Sequence, residues 1–199
     1  MQTRLSTEER QAEIVAAALR LARESSPALI TTGDIAAAIG ITQGAVFKHF
    51  PTKDAIWLAA MRWVREALLQ ALASAQDRAA TPLEALAALF RAHVEFVVAH
   101  PGVPRLVFHE LQQAADSPAK REVRALLQAY RKRLLDLLAQ ADAPGHSGRA
   151  PDAEAAATAF IGLVQGLVMQ SMLTGRAAGM RQQADPVFAL YLRGLGVAA

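Results

Sequence analysis

Between Thr42 and Lys53 the chain carries side chains suited to an anionic, hydrogen-bonding partner. Thr42, Gln43, Gly44, Lys48 and His49 are polar or small, and no acidic residue occurs from Gly40 to Lys53. Glutamine can read an adenine edge with two hydrogen bonds, and lysine can reach a guanine or a phosphate. A hydroxyl can bind phosphate, and a glycine lets backbone come close to sugar and phosphate. The chemistry is that of duplex DNA read along one short helix. The apolar residues between them, Ala45, Val46 and Phe50, fall where a helix would turn them inward.

Such a face needs elements to hold it. Ile35 and Ile39 share a helical face with Ala36 beside them, and Gly40 can take the positive φ that ends a helix. Ile41 plugs the turn and Thr42 caps the helix that follows. Two short helices joined by a glycine-containing turn make a helix-turn-helix. Helices this short are marginal alone in water, so a small trihelical unit must pack them.

The stretch Gly40-Ile41-Thr42-Gln43-Gly44-Ala45-Val46-Phe47-Lys48-His49-Phe50-Pro51-Thr52-Lys53-Asp54 resembles the signature of the TetR/AcrR family of bacterial transcriptional regulators. The resemblance covers about residues 8–60, and beyond residue 77 it is one of architecture alone. It implies an all-α fold of nine helices, three for DNA and six for ligand binding and dimerisation. It makes Thr32 and Thr42 phosphate-binding caps, Gln43, Gly44 and Lys48 the base-reading face, and His49 and Lys53 phosphate contacts. Phe47 departs from the pattern, since many members carry a tyrosine whose hydroxyl binds phosphate. Arg4 is a further basic residue near the N-terminus, more often solvated than seated in a groove.

The rest of the chain agrees with an all-α reading. Alanine- and leucine-rich runs dominate, β-branched alternation is absent, and helix punctuation recurs. Ser6-x-x-Glu9 and Thr81-Pro82-Leu83-Glu84 are capping signals, and Ser117-Pro118 and Asp185-Pro186 look like helix starts. Helices are expected at about 6–24, 32–38, 42–49, 53–76, 82–99, 104–114, 118–141, 153–174 and 185–195. The segment Asp142–Asp152, with two prolines and two glycines, reads as a loop. The expected division is a DNA-binding domain over 1–52 and a ligand-binding and dimerisation domain over 53–199. The helix from Lys53, at ~1.5 Å per residue, would be ~35 Å long and able to relay a shift between them.

Composition bounds the alternatives. The 199 residues contain no cysteine, which excludes disulfides, thiolate metal sites and a cysteine nucleophile and suits a reducing cytoplasm. Net charge is only +3, and residues 1–64 hold seven Lys/Arg against six Asp/Glu, so a DNA-facing surface must be a local patch. The 21 residues from Ala155 to Gly175 carry no charge, yet they include Thr158, Gln165, Gln170, Ser171 and Thr174 and lack an aromatic belt. A buried helix fits this run better than a membrane span.

Gly162 and Gly166 share one face of that run, with Phe160, Leu163 and Leu167 alongside. Val187, Leu190 and Tyr191 stripe the last helix, and together these residues form the expected homodimer surface. Trp57, Met61, Phe96, Phe108 and Met169, with Arg105, His109 and Gln165 as polar anchors, are the candidate pocket for a mainly apolar inducer of unknown identity. An aromatic and methionine stripe at helical spacing is more often plain core. His93, His100 and His109 lie 7 and 9 residues apart, too far for a chelating helical pair.

No nucleophile elbow, phosphate-cradling glycine loop, paired catalytic carboxylates or His-Glu-x-x-His motif occurs. The expectation is therefore a cytoplasmic, non-enzymatic repressor, without cofactor or metal, whose partners are a palindromic double-stranded operator, a second copy of itself and a small molecule. Two alternatives stand beside it. One is a helical small-molecule-binding or catalytic protein whose N-terminal unit is only structural. The other is a constitutive DNA-binding factor that organises the chromosome.

Overall fold

The computed structural model describes residues 5–141 and 152–196, which fold as nine helices and no strand among the described residues. In chain order these are α1 (Thr7–Leu21), α2 (Thr32–Ala38), α3 (Gln43–Phe47), α4 (Lys53–Gln76), α5 (Pro82–Ala99), α6 (Val103–Gln112), α7 (Pro118–Ala141), α8 (Ala153–Thr174) and α9 (Ala178–Gly194). The all-α expectation therefore holds. Residues 142–151 of the expected loop Asp142–Asp152, and the N-terminal Arg4, lie outside the described residues.

Local signals start the helices. The Ser6 hydroxyl accepts from the Glu9 amide at 3.1 Å while the Ser6 amide donates to Glu9 Oε2 at 2.7 Å. These bonds hold the Glu9 carboxyl below the ordinary carboxylate range. Thr81 and Glu84 make the same reciprocal pair ahead of α5. The Ser117 hydroxyl caps α7 by accepting from the Lys120 amide at 2.9 Å. Asp152 caps α8, accepting from the amides of Glu154 and Ala155, and Gly175 ends it at φ +67°.

The helix bounds fall within three residues of those expected, save at one start. The last helix begins at Ala178, not at 185, and runs through Pro186. Proline lacks the amide that would bond one turn back. The turn ahead of it is secured by burial of Met180 and Ala184 and by the Arg181 guanidinium, which donates to both Glu95 oxygens at 2.7–2.9 Å. Asp185, read as a helix cap, accepts from Arg91 instead.

The chain divides into two compact units: Met1–Glu66 with His100–Ala125, and Ala67–Ala99 with Leu126–Ala199. The helices α4 and α7 contribute residues to both. In the first unit Ile14, Ala17, Ile35, Val46, Ile56 and Leu106 are fully buried. In the second, α5, α8 and α9 pack on one another. Phe90, Phe160, Phe188 and Tyr191 form an aromatic cluster there, with Phe90 and Phe160 edge-to-face at 5.4 Å. Burying each such side chain is worth about 1.5–3 kcal/mol before entropy is charged. By length and composition α8 is long and apolar enough to cross a membrane, but its Ala156, Ala157, Phe160 and Val164 are buried in the protein.

Candidate DNA interface and ligand interior

The helix-turn-helix is built by three local devices. Thr31 accepts from the Asp34 amide at 3.1 Å and its own amide donates to Asp34 Oδ2 at 2.8 Å, which starts α2. Gly40, at φ +68°, makes the turn, and the Ile41 amide donates to the Ala36 carbonyl at 3.0 Å, folding the chain back. The Thr42 hydroxyl then caps α3 by accepting from the Ala45 amide at 3.2 Å. Only five residues are helical in α3, and Val46 and Phe50 anchor this segment by burial.

What remains outward is polar or open. Thr42, Gln43, Gly44 and Lys48 are exposed, and Phe47 is 45% exposed. His49 is half-buried with its Nδ1 enclosed and unpartnered, and its carbonyl accepts from Gln11 Nε2 at 3.2 Å. Two expected roles change in detail. The cap of α2 is Thr31, not Thr32; Thr32 is buried and its hydroxyl accepts from Gln43 Nε2 at 2.7 Å. This bond fixes the Gln43 side chain while leaving its carbonyl oxygen free to accept. Lys53 donates from Nζ to the Ala28 carbonyl at 2.9 Å, holding the start of α4 to the turn after α1.

The expected pocket residues do not converge on one place. Trp57 and Met61 are buried in the first unit, with Phe108 and His109 half-buried there. Arg105 donates from Nε to the Arg23 carbonyl at 3.1 Å, at the end of α1. Phe96 is buried in the second unit, whereas Gln165 is exposed and Met169 is 48% exposed on the outer side of α8. Trp57 and His109 line one groove.

The expected dimer residues also separate. Phe160, Leu167 and Tyr191 lie in the interior of the second unit; Tyr191 donates to the Ala156 carbonyl at 3.2 Å, and burial pushes its phenol up to about 12. Their hydrophobicity serves the protomer core, a correction to the expected surface. Leu163 and Val187 are half-buried. Gly162 and Gly166 have no atom of another part of the chain within 4 Å of where a Cβ would stand. Around them Met169, Leu173 and Leu190 are 48%, 81% and 59% exposed.

Two polar groups that sequence reasoning did not pair meet inside the second unit. His93 and Tyr130 have ring centroids 5.4 Å apart, and neither His93 Nδ1 nor the Tyr130 hydroxyl has a hydrogen-bond partner. Burial lowers the His93 imidazole to about 4, so it is neutral at pH 7, and pushes the Tyr130 phenol far up. Nothing local marks this pair, which spans two helices 37 positions apart. Thr31, in contrast, was visible as Thr-x-x-Asp.

Comparison with known proteins places this geometry. Residues 14–60 match the model of bacterial regulatory proteins of the tetR family, and residues 79–169 match the tetracyclin repressor-like C-terminal domain. The nucleoid occlusion factor SlmA of Idiomarina loihiensis is 26% identical over 98 residues, 49% of this chain and 50% of that protein. The chain thus spans about half the length of the curated relatives it matches. Among solved structures, the fatty acid degradation regulator FadR of Bacillus halodurans aligns with TM-score 0.81 at 19% identity, covering 99% of this chain and 100% of that one. FadR of Bacillus subtilis, solved in complex with stearoyl-CoA, aligns with TM-score 0.78 at 17% identity over 92% and 98%. With both family models matched in order and a capped helix-turn-helix followed by six further helices among the described residues, the chain belongs to the TetR family of bacterial transcriptional regulators.

Proposed function

We propose that this regulator is a cytoplasmic homodimer that represses by binding a palindromic operator through residues 1–52 and leaves it when a mainly apolar molecule binds within residues 53–199. The observation that carries the DNA half is the outer side of α3: Thr42, Gln43, Gly44 and Lys48 are exposed on a helix fixed by a cap and a positive-φ turn. No acid lies nearby in sequence to repel a duplex. In this reading Gln43, held by Thr32, reads a base edge, and Gly44 and Lys48 contact the groove. Thr42, His49 and Lys53 meet phosphates. Two heads bind two half-sites when α8 and α9 pair with those of a second copy, across Gly162, Gly166 and Leu190.

The ligand half rests on the interior of the second unit. A buried polar group without a partner costs about 1–3 kcal/mol, and His93 with Tyr130 places two of them beside an aromatic cluster. A carbonyl or hydroxyl on an otherwise apolar molecule satisfies both. The stearoyl-CoA complex of B. subtilis FadR shows that this fold accommodates a long apolar ligand in that protein. Release follows when the ligand prefers an arrangement of the heads that misses successive major grooves; a preference of about 1–3 kcal/mol weakens DNA binding ~5–150-fold.

A shift assay on DNA upstream of the protein's own reading frame tests the DNA half. Lys48→Ala is expected to weaken binding and to lower the salt slope by about one. Gln43→Ala should cost about 1–3 kcal/mol and relax specificity at one base position. Parent-like binding by both variants would overturn the assignment of α3. The similarity to nucleoid occlusion factors favours a second reading, a constitutive factor at many chromosomal sites. Genome-wide occupancy at dispersed copies of one motif, unaffected by any ligand that binds the protein, would select it.

A further inference from the structure

We propose that the first unit contains a separate site for a small amphipathic amine, with Glu110 as the counter-ion for its ammonium group. The place is a groove of about 700 Å³, within the range of small-molecule sites. It is walled by Pro27 and Ala28 after α1, by Trp57 and Leu58 of α4, and by Glu110 of α6 with Ser117 ahead of α7. All of these residues belong to the first unit.

Glu110 is the reason to assign a ligand. It is 6% exposed, and a buried carboxylate is ordinarily paired with a cation. Here the Ser117 hydroxyl donates to Oε2 at 2.7 Å, and no other hydrogen bond or ion pair engages the carboxylate among the described residues. The nearby cations make no ion pair with it among the described residues. Lys53, which also lines the groove, donates to the Ala28 carbonyl, Lys120 donates to the Gln113 carbonyl at 2.7 Å, and Arg121 and Arg124 pair with Asp116 at 3.2 and 3.0 Å. Asp54 at the rim adds a second acid. Ser117 cannot swing away, because its oxygen also caps α7. The carboxylate is thus held in place by one hydroxyl and faces the groove with no cation paired to it among the described residues.

The walls complete the chemistry. Trp57 is 4% exposed and its indole nitrogen is enclosed without a partner. Its ring, with Leu58 and Pro27, offers apolar contact to a hydrocarbon body, and an aromatic face adds attraction for a cation within about 6 Å. A protonated amine on an aryl or alkyl chain meets both demands. A carboxylate on the same body keeps the apolar contact but is repelled by Glu110.

The test is calorimetric titration of the full chain with 4-phenylbutylamine, using 4-phenylbutanol and 4-phenylbutyrate as neutral and anionic controls. One amine per chain is expected, bound at least tenfold more tightly than the alcohol, with no saturable binding of the butyrate. In Glu110→Gln, which keeps shape and can still accept from Ser117, amine affinity should fall at least tenfold while the alcohol is unaffected. Nitrogen-15 spectra should show the Trp57 indole resonance moving with amine and the Trp63 resonance still. Equal affinity for amine and alcohol, parent-like amine binding by Glu110→Gln, or absence of saturable amine binding overturns the site. If Glu110→Gln fails to melt cooperatively, Ala115→Phe decides, because it fills the groove from an exposed rim position. Undiminished amine binding in Ala115→Phe likewise overturns the proposal.

Discussion

Gly102 at the start of α6 and the pair Gly162 and Gly166 within α8 face opposite situations. A Cβ on Gly102 would stand 2.0 Å from the Leu19 carbonyl oxygen and 3.1 Å from the Arg23 nitrogen, so the backbone of α1 occupies the space. One turn further on, Arg105 donates to the Arg23 carbonyl and complements the C-terminal end of α1. At Gly162 and Gly166 nothing lies within 4 Å. Glycine inside a helix costs about 0.5–1 kcal/mol relative to alanine. At Gly102 the missing side chain is used within the chain; along α8 it is not, and the proposed subunit contact rests on that difference. The first region teaches how α6 is held to α1, the second where α8 is left open.

The largest effect is expected at Gly102. Gly102→Ala puts a methyl against main-chain atoms that cannot rotate away, so α1 and α6 must part or the loop before α6 must distort. Overpacking of this kind costs about 1–3 kcal/mol, which corresponds to a Tm lower by roughly 2–12 °C. A thermal melt followed by operator titration is the measurement. A Tm equal to that of the parent would show slack between the two helices and remove the contrast with α8.

Much of this was legible locally. Caps and prolines act within a few residues, which is why α4, α5, α7 and α8 begin and end where their signals place them, and why Gly40 and Thr42 announce the turn. The outward side chains of α3 follow, since burial of Val46 and Phe50 decides which side of α3 remains outside. Features that depend on distant neighbours were not legible. Gly102 matters only because α1, some eighty positions earlier, passes against it. Periodicity marks Phe160 and Tyr191 as apolar but cannot say that the protomer interior claims them while Gly162 and Gly166 stay bare. For the same reason an apolar stripe drawn from Trp57 to Met169 divides between two units. Pro186 misled because local rules place proline at a helix start, whereas burial and the Arg181–Glu95 fork carry α9 through it.

A second, smaller effect is expected from Gly166→Leu, and it tests the open face directly. Within the protomer its Cβ meets no atom within 4 Å and the position is exposed, so helix content and cooperativity should be retained. If α8 packs on its symmetry mate, the added side chain is counted on both sides of the axis, at about 1–3 kcal/mol per site. Sedimentation at micromolar concentration should then show monomer, and operator affinity should fall because one head makes too few contacts. A dimer of parent-like strength would place the subunit contact away from Gly166, and the bare face of α8 would need another occupant.

The smallest effect is the most discriminating, because it separates the protomer from its partner at a single methyl. Gly162→Ala removes the entropic penalty of glycine in a helix at a position with no obstruction, where φ is helical and no neighbour must move. Alone, this should stabilise the protomer by about 0.5–1 kcal/mol. In a dimer whose helices meet across this face, the methyl lies between two backbones and the gain is cancelled or reversed. The two are distinguished by concentration: urea melts at dilutions where the parent is monomeric should show Gly162→Ala as the more stable, and melts at dimeric concentrations should show it level with or below the parent. A gain of the same size at every concentration would mean that Gly162 faces solvent in the assembled protein. The comparison with Gly102 would then rest on Gly166 alone.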